Sequence, residues 1–225
     1  MAQHDTGENI LFPRGMTASG FFGTPAVALN STAPLDFEDW VGVERDFPDF
    51  DYSVKPAQLR SGATVRCRIM RNTSGVILYP KRLVTCDTFV GTAGPKGLAK
   101  APGYTRLPNV PGVVVDEWLP AGGVPLNDLF WAVISGPTII INQDTAGVAI
   151  TVGGLVTSQT AANSTGGATI LGAGGKIQGL TYTTITTASG VTTLEGLQNA
   201  IGMALSASAS SSTNASVLVN VYHYN

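Results

Sequence analysis

Short runs of alternating apolar and polar residues fill most of the chain, and they predict strands. Between 63 and 70, Ala63, Val65, Cys67 and Ile69 alternate with Thr64, Arg66 and Arg68. That period of two marks a half-buried strand with Arg66 and Arg68 outward. Asn72-Thr73-Ser74-Gly75 reads as a turn, answered by a strand over 76–79, with another strand over 83–90. The next runs cover 113–118, 129–134, 138–141, 148–152, 155–156, 169–171, 182–187 and 217–222, broken by Pro120-Ala121-Gly122-Gly123 and Gly153-Gly154. Strands repeating every 8–12 residues or so, with glycine at the breaks, predict an all-β fold: a β-barrel or sandwich of short antiparallel strands.

Three stretches depart from this rhythm. Residues 1–35 are rich in Gly, Thr and Pro, hold no amphipathic period, and predict an extended N-terminal arm reaching on the order of 100 Å. Phe12, Phe21 and Phe22 are poor residues to leave in water, so the arm is expected to pack on something. Residues 91–112 carry nine Gly and Pro and predict a long loop, which in a compact domain usually serves a function or packs on a partner. In 193–209, Thr192 and Glu195 form a capping box and Leu194, Leu197, Ile201 and Leu205 fit a helix face, yet Ile201, Met203, Leu205 and Ala207 also alternate. The strand hairpin, pairing with 217–221, is the favoured reading. The organisation is therefore 1–54 as arm plus acidic-aromatic segment and 55–225 as the β-rich domain, with a sub-boundary near 108 as an option.

Charge sharpens this division. Charged residues are 12% of the chain, about half the usual roughly 25%. Residues 1–127 hold 24 of the 28, leaving Asp128, Asp144, Lys176 and Glu195 for the rest. Seven acids stand against Arg45 in 36–51, interleaved with Phe37, Trp40, Phe47 and Phe50; ten bases, Arg60, Arg66, Arg68 and Arg71 among them, stand against Asp87 in 55–106. Either the blocks neutralise each other within one fold, or one meets a complementary surface on a neighbouring subunit, with the aromatics as anchors. On the second reading the partner-contact residues are Phe12, Phe21, Phe22, Phe37, Trp40, Phe47, Phe50, Arg60, Arg66, Arg68 and Arg71. A net charge of −2 gives no general attraction to nucleic acid or membrane, so neither is expected as a partner.

Candidate chemistry is sparse. His4 and His223 are the two histidines, and no Cys-x-x-Cys or His-x-x-x-His spacing is present, so no metal or other cofactor is expected. The glycine run 172–176 ends in Lys176, but Ile177 stands where a phosphate loop needs Ser or Thr, so the run reads as a turn. No Gly-x-Ser-x-Gly elbow occurs. Cys67 and Cys86 are expected as free thiols packed like small hydrophobes. The start of the chain shows no secretory pattern and no run of 18 apolar residues occurs. The expectation is a protein that is not an enzyme.

The second half resembles capsid decoration (cement) proteins of tailed bacteriophages. The likeness rests on three stretches: Asp-Leu-Phe-Trp-Ala-Val-Ile-Ser-Gly-Pro-Thr over 128–138, Gly-Val-Ala-Ile-Thr-Val-Gly-Gly-Leu-Val over 147–156, and 200–209 followed by 217–221. The first is similar to the family's Gly-Asp-Leu-Phe-Trp-Val-Val-x-x-Gly-Pro strand and turn, with Asn127 in place of the glycine. The last pair is similar to the family's closing β-hairpin. The resemblance implies a structural virion protein on the capsid surface, assembled in the host cytoplasm, often a homotrimer. It would bind the outer face of an icosahedral shell and clamp neighbouring major capsid protein subunits. The alternative is a receptor- or glycan-binding fibre or spike module using Trp118 and Trp131. A β-rich hydrolase would need a clustered acid or His site, which the sequence does not display.

Overall fold

The computed structural model describes residues 11–23, 40–86, 98–102, 112–142, 149–158, 177–179, 200–209 and 214–222. Within them lie one short helix, α1 (Ala18–Phe22), and ten strands: β1 (Glu44–Asp51), β2 (Gln58–Asn72), β3 (Leu83–Cys86), β4 (Leu98–Pro102), β5 (Gly112–Val115), β6 (Leu129–Ile141), β7 (Leu155–Ser158), β8 (Ile177–Gly179), β9 (Ala200–Ala204) and β10 (Ser216–Val221). The strands form a single sheet in the order β1-β2-β4-β3-β5-β6-β10-β9-β7-β8. All pairings are antiparallel except β2 with β4. The expected all-β class is thus present, but as an open sheet and not a closed barrel. β2 also pairs with β6, so the pairings run from β2 through β4, β3 and β5 to β6 and back, while β1 and β8 remain as outer strands.

Two long strands organise the sheet, where short ones were expected. β6 runs unbroken through Gly136-Pro137, which the sequence suggests as a turn. Gly136 has φ +99°, and a Cβ there would lie 2.4 Å from the Thr64 carbonyl oxygen. Only glycine fits that close approach and left-handed backbone, so the residue pair re-aims the strand instead of reversing it. Before the bend β6 pairs with β2 and β5; from Gly136 onward it pairs with β10.

β6 is buried on both faces, which is why its sequence reads as a continuous apolar run. Leu129, Trp131 and Val133 face one cluster with Val65, Cys67, Ile69, Phe12, Val217 and Val219. Phe130, Ala132 and Ile134 face a second with Met70, Leu78, Val84, Val113 and Val115. Trp131 is wholly buried, with its ring 5.1 Å from Phe47 and 5.7 Å from Phe12, and its indole N–H donates to the Phe12 carbonyl at 2.7 Å. Truncating such an aromatic to alanine costs about 3–5 kcal/mol.

Several expectations are revised by this geometry. β1 lies in the acidic-aromatic segment and pairs along its length with β2. Phe12 sits in the core at 1% exposure, so this part of the arm is built into the domain. Residues 98–102 of the expected loop form β4. Asn72 does begin a turn, its side chain accepting from Ser74 N–H at 3.1 Å, but 76–79 does not return along β2. Leu78 instead exchanges backbone hydrogen bonds with Val124. Cys67 pairs with Arg45 and Val133, and it is a free, buried thiol whose pKa burial pushes up. Residues 200–204 are a strand against β10, as favoured over a helix. Of the strand expected over 148–152, the described residues 149–152 give a bridge from Ile150 to Ser208, while β8 begins at Ile177, just after the glycine run. The strands expected at 169–171 and 182–187, the glycine run 172–176, residues 193–199, and His4, His223 and Phe37 lie outside the described residues.

Candidate partner-contact surface

The described part of the arm presents two faces. Phe12 points inward. Five residues on, α1 is capped by Thr17, whose side chain accepts from Gly20 N–H, and closes on Gly23 at φ +66°. The helix is pinned to the sheet by Asp128, buried at the start of β6, which accepts from the Ser19 backbone N–H at 3.0 Å, from the Ser19 hydroxyl and from Leu129 N–H at 2.8 Å. So held, α1 presents Phe21 and Phe22 outward, with their rings edge to face at 4.8 Å and Phe22 5.6 Å from Trp40. Phe21, Phe22 and the preceding Met16 are each more than a third exposed. A fixed aromatic pair beside a half-buried tryptophan is an interface anchor in chemical character.

Beneath this surface runs a buried ion network. The strand apolar run Val113–Val115 is followed by Asp116 and Glu117, both buried, each holding a different remote arginine. Asp116 accepts from Arg14 Nη2 at 2.7 Å and Nε at 3.2 Å, and from Gly15 N–H at 2.8 Å. Burial acts against the Arg14 charge, but the Asp116 carboxylate overrides it and the guanidinium stays above its ordinary range. Glu117 accepts from Arg60 Nη1 at 3.0 Å and Nη2 at 2.9 Å. The same guanidinium reaches Asp49 at 2.6 Å. This sharing has a local cause. The β1–β2 register jumps between Pro48↔Thr64 and Phe50↔Leu59, so 60–63 stand opposite Asp49 alone. Freed from the ladder, Arg60 and Ser61 both turn to Asp49, the Ser61 hydroxyl donating at 2.7 Å.

Farther along the same strands the charges stay in water. Glu44↔Arg68 and Asp46↔Arg66 are cross-strand partners, and their side chains pair across the ladder, Arg66 to Asp46 at 2.8 Å. The Arg66 hydrogen bond holds the Asp46 carboxyl below its usual range. The acidic and basic blocks thus meet inside one chain at three points, as the first of the two sequence readings has it.

The expected contact residues divide accordingly. Phe21 and Phe22 lie outward, with Trp40 and Phe47 half-buried against Phe22 and Trp131 respectively, and Phe50 packs 5.9 Å from Tyr52. Arg66 and Arg68 are on the surface but already engaged. Phe12, Arg60 and Arg71 are turned into the protein. Of the two tryptophans considered for glycan binding, Trp131 is enclosed, while Trp118 meets half-exposed Tyr52 edge to face at 5.3 Å. Arg14, Asp49, Asp116, Glu117 and Asp128 are not among the expected contact residues; for Asp116 and Glu117 the sequence signal is two adjacent acids interrupting an apolar run between Val115 and Trp118. Among the described residues no group of three or more His, Cys, Asp or Glu is placed to hold a metal ion, and no helix is long and apolar enough to cross a membrane. No protein-family model, curated protein or solved structure matches the chain.

Proposed function

We propose that this chain is a structural virion protein that binds the outer surface of an icosahedral capsid and clamps neighbouring major capsid protein subunits, acting as a homotrimer. The observation that carries this reading is the outward Phe21–Phe22 pair on a helix fixed from below by Asp128. The resembling stretches support it: 129–138 lies in the central strand β6, and β9 pairs with β10 as a closing antiparallel pair. Asn127, where the family pattern has glycine, has φ +63°, a backbone that glycine and asparagine tolerate best.

Removing the whole arm would open the core through Phe12 and Arg14, so the discriminating variant is Phe21→Ser with Phe22→Ser. It is expected to remain folded and to lose co-sedimentation with expanded capsid shells. Undiminished co-sedimentation would overturn the reading. The receptor- or glycan-binding alternative rests on Tyr52 and Trp118, and binding to a glycan array abolished by Tyr52→Ala would favour it.

A further inference from the structure

The ion network holds three carboxylates, Asp49, Asp116 and Glu117, against two guanidiniums, Arg14 and Arg60. The three carboxylates and Arg14 are enclosed and Arg60 is 15% exposed, so the surplus negative charge is poorly solvated. The hydrogen bonds are unequal. Asp116 has Arg14 to itself plus a backbone N–H. Asp49 has Arg60 Nε and Nη2 plus the Ser61 hydroxyl. Glu117 accepts from Arg60 Nη1 and, in common with Asp49, from Nη2, and its remaining contact is a long approach from the Thr138 hydroxyl, at 3.5 Å.

We propose that this cluster takes up one proton on Glu117 as the chain folds, so that mild acid strengthens the core of the fold. Glu117 is the least supported of the three anions and is fully enclosed. Burial is the largest influence on it and raises its pKa above the ordinary glutamate value of 4.5, against the opposing pull of Arg60 and Arg14 and with the repulsion of Asp116. Beyond these five groups, the neutral thiol of Cys67 on β2 also faces the cluster. Protonation leaves Arg60 paired with Asp49 and removes the surplus charge. A group that binds protons more tightly in the folded than in the unfolded state makes folding less favourable as pH rises. The proposal stands apart from what the chain binds.

The test compares urea unfolding of the wild-type chain and Glu117→Gln, a neutral isostere, from pH 4 to 8. The ratio of wild-type to variant folding constants is expected to fall by up to about tenfold per pH unit as pH rises above 4.5, until Glu117 is ionised in the folded state. A ratio that stays flat or rises would overturn the proposal. Should Glu117→Gln fail to fold, the carboxyl carbon of Glu117 in the wild-type chain decides by NMR. Titration above the ordinary value supports the proposal, and titration at or below it sinks it.

Discussion

Two sets of arginine–carboxylate pairs join β1 to β2, and their geometry alone does not tell them apart. Arg60 meets Asp49 at 2.6 Å and Arg66 meets Asp46 at 2.8 Å. Their surroundings differ completely. Asp49 is 1% exposed and Asp46 is 49% exposed. In the exposed ladder each charge has one partner and a water shell, so either half can be lost at little cost. In the buried clamp one guanidinium serves two carboxylates that have no alternative solvation. Burial and sharing, more than distance, set what a pair is worth.

Arg60→Ala breaks that comparison most severely. It strands Asp49 and Glu117 in the interior, and removing one partner of a buried pair costs about 3–5 kcal/mol. The expected outcome is a marked fall in the urea midpoint with an unchanged slope. A loss no greater than that from a ladder residue would mean that water enters the clamp freely.

Asp128→Asn comes next. Asp128 is a buried anion held by Ser19 and by the Leu129 N–H, without the guanidinium partners seen in the clamp. Charged hydrogen bonds are worth about 1.5–3 kcal/mol, and the substitution is expected to cost an amount in that range. It should also loosen α1, seen as faster amide exchange at Ser19 with the exchange of β6 unchanged. Equal acceleration along β6 would show that the helix and strand come apart together.

The sequence made the ladder legible and hid the clamp, for a physical reason. A strand alternates faces at period two, so Arg66 and Arg68 between Val65, Cys67 and Ile69 had to point away from the core. Their pairing with Glu44 and Asp46 needs only a neighbouring strand. The clamp depends on a slip of register at Asp49, and on contacts from Asp116 and Glu117 to residues 14 and 60, which no local period encodes. The same holds for the fold. Apolar runs and glycine breaks located β6, β9 and β10, whereas the continuity of β6 through Gly136-Pro137 rests on a left-handed residue that in sequence reads equally as a turn. Of the aromatic residues of the arm, periodicity marked none as inward, because Phe12 is placed by Trp131 from across the chain.

Within the ladder, Arg68 and Glu44 are partly shielded, and a double-mutant cycle with Arg68→Gln and Glu44→Gln is expected to give a coupling of about 0.2–1 kcal/mol. Raising the salt to 1 M shortens the screening length to about 3 Å and should erase most of it, while the cost of Arg60→Ala stays nearly constant. Coupling that survives high salt would place this pair with the buried set.

The smallest effect is the most telling, because its sign is opposite to that of the clamp. Asp46 is exposed and Arg66 holds its carboxyl below the ordinary aspartate value of 3.8. Its contribution is therefore complete above that value and is lost as pH falls through the lowered folded value. Asp46→Asn is expected to lower stability slightly above pH 4 and to flatten the acid limb, so that variant and wild type converge as pH falls. Glu117→Gln should act above 4.5 and in the other direction, since its folded value lies above its unfolded one. Two carboxylates engaged by arginines of the same strand would then respond oppositely to acid, one because the pair is wet and the other because it is not. If both variants moved the same limb, burial would not be what separates them.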